Sequence, residues 1–499
     1  MVQFIIGLSI GVVLGFCICA IFVVSLQAKM VKCVDTYYFL GIGGIGMSAL
    51  ARYFAAKGMR VLGYDRTPSS LTQVLETEGM QVQYDDSLEM VKTLDKEKTI
   101  VVRTPAVPED MAVYVWLKEQ GFEILKRAEI LGRVTREARA LCVAGTHGKT
   151  TTSTMLAHIL HQSHVGANAF MGGIANNYGT NLLLDNSDNV VVEADEFDRS
   201  FHHLTPYISV ITSMDPDHLD IYGTEEAYRE SFMHYASLVE SALVVKATLS
   251  QCMAKAASPQ CKVYGYGVMG DEAIRLQGDE AMDFYADNVR VRDGEICFDF
   301  HTPESVMTDI QLGVPVWVNV ENGVAAMAVA WLMGATEDEL REGMKSFSGV
   351  YRRFNIHVNT PQVAYVDDYA HHPAELHASI KSVRRLYPDR YVIGVFQPHL
   401  FTRTRDFVEE FAQVLSSLDE VALLPIYPAR EKPIEGVTSE WLMGKIQAKR
   451  ALVLPGILAK YLRERVKSKL AQGKDCVVIT MGAGDIDRQV NDIRKALQI

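Results

Sequence analysis

The chain has 499 residues, 48% of them hydrophobic and 22% charged, with a formal net charge of −12. That length suggests about three domains of ~150 residues each, with ample core. The negative balance argues against a nucleic-acid partner, because no basic field gathers phosphates over a wide area. The eight cysteines are scattered without a C-x-x-C pair, which fits a reducing compartment and excludes a zinc site evident from sequence.

Met1 to Ala28 carries no charged side chain, and Phe4 to Leu26 is mostly apolar. That run is long enough to cross a hydrocarbon core of ~30 Å. It lacks the positive start of a signal peptide, and Lys29 and Lys32 lie only on its C-terminal side, which would leave the remainder in the cytoplasm. Residues 1–30 therefore read either as an anchor, tethering residues 4–26 in the inner membrane, or as residues upstream of a true start at Met30.

Tyr37 to Leu40 then reads as a short strand, and Gly41-Ile-Gly43-Gly44-Ile-Gly46 opens a helical pattern. A second strand, Val61 to Tyr64, ends in Asp65. Strand, G-x-G-x-x-G, helix, strand and acid form a Rossmann-type unit, with the acid placed for a ribose hydroxyl. Alone this unit suggests a nicotinamide dehydrogenase.

A second phosphate loop follows. Leu141 to Ala144 is an apolar run, Gly145-Thr146-His147-Gly148 is a turn, and Lys149-Thr150-Thr151 opens another helical pattern. Backbone N–H groups and the positive helix end would face phosphates, Lys149 the β/γ-phosphates, and the Thr150 hydroxyl a Mg²⁺ ion. The loop is shorter than G-x-x-x-x-G-K-[ST], since position 143 is Val. A dehydrogenase needs no such second loop; two nucleotide sites suggest one nucleotide spent and one carried as a handle.

Two further strands, Asn189 to Val192 and Tyr207 to Thr212, end in Glu193-Ala194-Asp195-Glu196 and Asp215-Pro216-Asp217-His218. Oxygen ligands at strand ends beside a phosphate loop suit Mg²⁺. In the last third, strands at Val363–Val366, Tyr391–Phe396, Val421–Ile426 and Cys476–Thr480 lead into clusters holding Tyr369, His371, His399, Arg403 and Gly482. Ligands of open parallel sheets bind outside the carboxyl ends of strands, so these clusters predict one functional rim. The helix from Pro373, with proline in its first turn, reads as structural.

From Thr36 to Ile486 these residues closely resemble the Mur ligases. The motifs are GIGGIGMSALA (41–51), AGTHGKTTT (144–152), EADEFDRSF (193–201), DPDHLDIY (215–222), GVYRRFN (349–355), DDYAHHPAE (367–375), FQPHLFTRTRDF (396–407) and GAGDI (482–486). The resemblance implies an α/β chain of three domains. These are a Rossmann-like UDP-sugar domain (31–138), a central P-loop-type ATPase domain with a parallel sheet (139–350) and a Rossmann-like amino-acid domain (351–499). It implies a cytoplasmic enzyme of peptidoglycan synthesis that joins L-alanine to the lactyl carboxylate of UDP-N-acetylmuramate, with ATP and Mg²⁺, through an acyl phosphate.

Carried over residue by residue, the resemblance puts ATP on the loop from Gly145 to Thr151 with Asn319, Asn322 and Arg353. The metals fall on Thr150, Glu193 and His218, and the UDP end on Gly41, Gly43, Gly44, Gly46 and Asp65. The amino acid falls on Tyr369, His371, His399 and Arg403, and catalysis on Lys149, His218, His371 and Arg403. With substrates split between domains, the domains must close before chemistry. Three departures stand out. Leu400 occupies a position where many relatives carry arginine, leaving Arg403 for the alanine carboxylate. Pro315-Val-Trp-Val-Asn319 replaces Pro-Gly-x-His-Asn. No lysine lies between Lys149 and Lys246, which predicts no carbamylated lysine. The rival within the class is the ligase that recycles murein tripeptide; MSALA and EADEFDRSF favour the alanine enzyme. A folate polyglutamate ligase would lack the first glycine domain.

Overall fold

The computed structural model describes residues 34–104, 107–217, 219–270, 282–292, 295–429 and 431–498. The hydrophobic start and His218 lie outside these described residues. Among the described residues, no helix is long and apolar enough to cross a membrane.

The chain divides into two compact units, the first ending at Arg127 and the second beginning at Ala128. In the first unit, five parallel strands are ordered Gln81–Gln83, Arg60–Tyr64, Thr36–Leu40, Thr99–Arg103, Glu123–Lys126. Thr36–Leu40 at its centre is buried at every position, which explains why it reads as a continuous apolar run rather than an alternating one. The helix Ile45–Ala56 follows the first glycine loop directly.

The second unit contains two sheets. In the ten-stranded sheet, Arg139–Ala144 lies between Asn189–Glu193 and Pro206–Ile211, both parallel to it. All three strands therefore end at one edge, and the phosphate loop leaves from the middle one. The sheet continues through Ala242–Lys246 and Lys262–Val268 to an antiparallel arm of Phe284–Arg292, Glu295–His301 and Val306–Leu312. In Glu295–His301, Ile296, Phe298 and Phe300 are buried in alternation, as expected for a strand with one wet face.

The six-stranded sheet is ordered Asn355–Asn359, Val363–Asp368, Cys476–Met481, Tyr391–Phe396, Glu420–Leu423, Lys449–Leu452, parallel except for the first strand. The expected strand Val421–Ile426 is shorter than predicted. Leu424 still donates to the Phe396 carbonyl, but Pro425 has no N–H with which to continue the ladder. The helix Pro373–Leu386 starts as predicted, with proline in its first turn.

Candidate active site

Gly145 begins the phosphate loop with φ +130°, and a Cβ there would overlap Thr212 Oγ1 and lie 2.9 Å from the Ser213 nitrogen. Gly148 caps the helix Lys149–Gln162 with φ +80°, where a Cβ would meet Asn322 Oδ1 at 2.8 Å. Only glycine takes both conformations without strain. The two residues between them act as braces: Thr146 Oγ1 donates to the Asp215 carbonyl (2.7 Å), and the His147 N–H donates to Ser213 Oγ (2.9 Å). The Thr146 N–H is also used, on the Ser213 carbonyl. What remains for phosphate is the helix N-terminus from Gly148 to Thr151, whose first amides have no partner within the helix.

Lys149 is held at that terminus. Its Nζ donates to the Gly145 carbonyl (2.6 Å) and pairs with Glu196 at 2.7 Å. Burial opposes the charge, but Glu196, Asp195 and Glu193 outweigh it and hold the ammonium pKa above its ordinary value. Burial pushes the Glu196 carboxyl up to about 7 against the pull of Lys149. Glu193 lies under Gly172, where a Cβ would strike its carboxylate. Its Oε2 is buried with no hydrogen-bond partner. An orphaned carboxylate oxygen in the cavity that Thr150 also lines fits a divalent cation. Among the described residues no group of three His, Cys, Asp or Glu is placed to hold a metal ion; Mg²⁺ takes one or two carboxylates plus phosphate oxygens.

Across the cleft, the six-stranded sheet supplies the other wall. Lys149, Thr150, Glu193, Glu196, His371 and Arg403 line one cavity of about 180 Å³. A neighbouring cleft of about 260 Å³ is lined by Gly148, Thr151, Asn319, Asn322, Arg353 and Asp368, among others. Asn322 is fixed there: Thr152 Oγ1 donates to its Oδ1, and its Nδ2 donates to Asn319 Oδ1. Arg353 stacks over Tyr369 at 5.0 Å, and Tyr369 meets His371 edge-on at 5.4 Å. His371 in turn lies 6.0 Å from His399, which stacks on Tyr427. Burial, His371 and Arg403 push His399 down to about 4. Leu400, at φ +70°, turns the chain from His399 into the helix Phe401–Asp406 that carries Arg403. Leu400 therefore shapes the turn between two predicted site residues.

In the first unit, Asp65 Oδ2 accepts from the Gly43 N–H (2.8 Å) and Oδ1 from the Thr67 N–H (3.3 Å). Asp65 thus organises the loop Gly41–Gly46 from within. A Cβ on Gly46 would meet Arg127 Nη1 at 2.7 Å, which brings a guanidinium to the start of the helix Ile45–Ala56, while Gly44 caps that helix. Arg127 and Glu375 are functional candidates that sequence reasoning passes over, and Glu196 is read there among oxygen ligands for Mg²⁺ rather than as the partner of Lys149. Only Glu196 and Glu375 carried a signal, each lying inside a quoted motif.

Fold and site together define a nucleotide-dependent α/β enzyme. Residues 36–139 match the Mur ligase family catalytic domain, 143–330 the Mur ligase middle domain, and 352–484 the Mur ligase glutamate ligase domain. UDP-N-acetylmuramate–L-alanine ligase from Parabacteroides distasonis is 53% identical over 470 residues, covering 93% of this chain and 97% of that protein. The protein of the same name from Phocaeicola vulgatus is 52% identical over 469 residues, covering 93% and 98%. Among solved structures, UDP-N-acetylmuramate-alanine ligase from Thermotoga maritima superposes with a TM-score of 0.74 at 24% identity, covering 93% and 99%. A murein peptide ligase from Psychrobacter arcticus reaches 0.67 at 20%, also covering 93% and 99%. The fold is thus common to the alanine ligase and the murein peptide ligase. The chain belongs to the Mur ligase family, and it is a ligase.

Proposed function

We propose that this chain joins L-alanine to the lactyl carboxylate of UDP-N-acetylmuramate, converting ATP to ADP and phosphate, as a step of peptidoglycan synthesis. The observation that carries this reading is the single cavity lined by Lys149 and Glu193 on one wall and His371 and Arg403 on the other. The names of relatives at about half identity over nearly the whole chain supply the substrates.

A carboxylate does not react with an amine at neutral pH, so the γ-phosphoryl group must first be transferred to it. That step gathers negative oxygens, and its catalysis is positioning and charge neutralisation. The amides from Gly148 to Thr151 take phosphate oxygens, and Lys149 leaves Glu196 to follow the transferred group. Thr150 and Glu193 would hold Mg²⁺, which would offset the negative charge gathered at the phosphates; His218 would serve a second ion. Asn319, Asn322 and Arg353 take the remainder of the nucleotide. Gly41, Gly43, Gly44 and Gly46, with Asp65 holding their loop, take the UDP end. Arg403 pairs with the alanine carboxylate, a fork geometry for which guanidinium is suited, beside Tyr369, His371 and His399. The work is cytoplasmic, where ATP and the UDP-sugar occur.

Lys149→Ala tests this reading. Phosphate release should vanish while UDP-N-acetylmuramate still binds by calorimetry with unchanged Kd. Loss of both together would contradict the assignment of the two nucleotides to separate loops.

A further inference from the structure

His371 is held through one ring nitrogen. Its Nδ1 lies 3.0 Å from the Tyr369 carbonyl oxygen and 3.2 Å from Glu375 Oε2. A carbonyl oxygen has no proton to give, so that bond requires Nδ1 to donate, and the neutral ring then carries its lone pair on Nε2. Among the described residues nothing bonds to Nε2, and the ring lines the cavity that also contains Lys149 and Arg403.

Glu375 is itself fixed. Its Oε2 accepts from the N–H groups of His371 (3.0 Å) and His372 (3.3 Å), and its Oε1 lies 3.8 Å from His147 Nδ1 of the phosphate loop. Burial favours its neutral form, but His371, His147 and Arg353 outweigh burial and hold the carboxyl well below its ordinary range. The groups facing the His371 ring are Glu375, Arg403, Arg353, Tyr369 and His399. Burial lowers the imidazole pKa, both arginines lower it further, and Glu375 opposes them. His399 has no carboxylate bonded to it among the described residues.

We propose that Glu375 is a positioning residue that, with the Tyr369 carbonyl, locks His371 so that Nε2 takes the proton from the ammonium group of the incoming amino acid. The proposal rests on the ligase reading above. Alanine arrives as a zwitterion, and its ammonium has no lone pair with which to attack. Transfer of one proton to Nε2 leaves a neutral amine and an imidazolium that Glu375 stabilises. The amine lone pair then forms the C–N bond at the acyl carbon while the C–O bond to phosphate breaks. The second amine proton leaves with that phosphate, and His371 returns its own proton to solvent. Each amide formed thus accounts for both protons lost from nitrogen.

Hydroxylamine separates the two halves of the reaction, because it is neutral near pH 7 and needs no base. With UDP-N-acetylmuramate and ATP, the wild-type enzyme should form hydroxamate from hydroxylamine and conjugate from alanine. In His371→Asn the ratio of alanine conjugate to hydroxamate should fall by about 10²–10⁴-fold, and in Glu375→Gln by part of that. Glu375→Asp should recover part of the alanine rate. Without the carboxylate the imidazole is a weaker base, so in Glu375→Gln the acidic limb of kcat/KM for alanine should move to lower pH. Equal loss of hydroxamate and conjugate, or an unmoved acidic limb, would overturn the proposal. A wild-type enzyme that makes no hydroxamate at all would instead overturn the ligase reading beneath it.

Discussion

Replacing Gly145 with alanine should cost the enzyme far more than the same change at Gly179, although both glycines have positive φ. At Gly179 (φ +64°) a Cβ meets nothing within 4 Å, so the cost is the backbone term alone, about 1–2 kcal/mol. At Gly145 the same term applies, and the methyl also overlaps the Thr212 hydroxyl, which donates to the Ala144 and His147 carbonyls. Overpacking typically adds about 1–3 kcal/mol, for a total of about 2–5 kcal/mol. The functional loss is larger, because the displaced atoms set the path of the loop into Lys149, and a shift of about 1 Å in a reacting group costs about 10²-fold. Thermal melting and phosphate release at saturating ATP should be measured on both variants. Gly179→Ala should melt slightly lower with wild-type kcat, and Gly145→Ala should lose kcat by about 10²-fold. Wild-type turnover in Gly145→Ala would refute the argument that this glycine is required by the loop.

Arg403→Ala should raise the KM for alanine by about 30- to 900-fold, which corresponds to about 2–4 kcal/mol for a guanidinium–carboxylate pair; a change under about threefold would place carboxylate recognition elsewhere. Glu193→Gln should raise the Mg²⁺ concentration for half-maximal activity, since it removes the charge of a carboxylate whose Oε2 has no hydrogen-bond partner; an unchanged requirement would remove Glu193 from the metal site. His158 is buried, with Nδ1 at 2.8 Å from the Tyr178 hydroxyl and Nε2 at 2.9 Å from Ser346 Oγ, and burial pushes it down to about 4 from 6.5. The unfolded chain takes up that proton near 6.5, so the contribution is complete above that pH and is lost as pH falls toward 4. Between pH 7.5 and 5.5 this is about 1.3 kcal/mol, and His158→Gln should flatten denaturant-derived stability over that range by that amount.

The parts of the site legible in the sequence are those made by short segments. Gly145 to Thr151 and Gly41 to Gly46 each combine strand end, turn and helix start within a dozen residues, and local rules of turn and helix chemistry suffice to read them. The alternation of strands and helices likewise exposes Asp368, Gln397 and Gly482 as edge positions. Pairings made by folding are not legible. Lys149 and Glu196 are 47 residues apart, and nothing in EADEF marks which of its three acids reaches the lysine. Glu375 reads as the third residue of a helix and is one, yet its second oxygen faces His147 of a different sheet. The shortened strand at Leu423 was readable, because Pro425 was in plain view and its missing N–H decides the matter.

The most direct test of the central claim offers purified protein UDP-N-acetylmuramate, ATP and Mg²⁺ with either L-alanine or the L-alanyl-γ-D-glutamyl-diaminopimelate tripeptide, and follows phosphate and product mass together. One phosphate should be released per UDP-N-acetylmuramoyl-L-alanine formed, with no conjugate from the tripeptide. Phosphate release without a conjugate, or conjugate from the tripeptide alone, would contradict it.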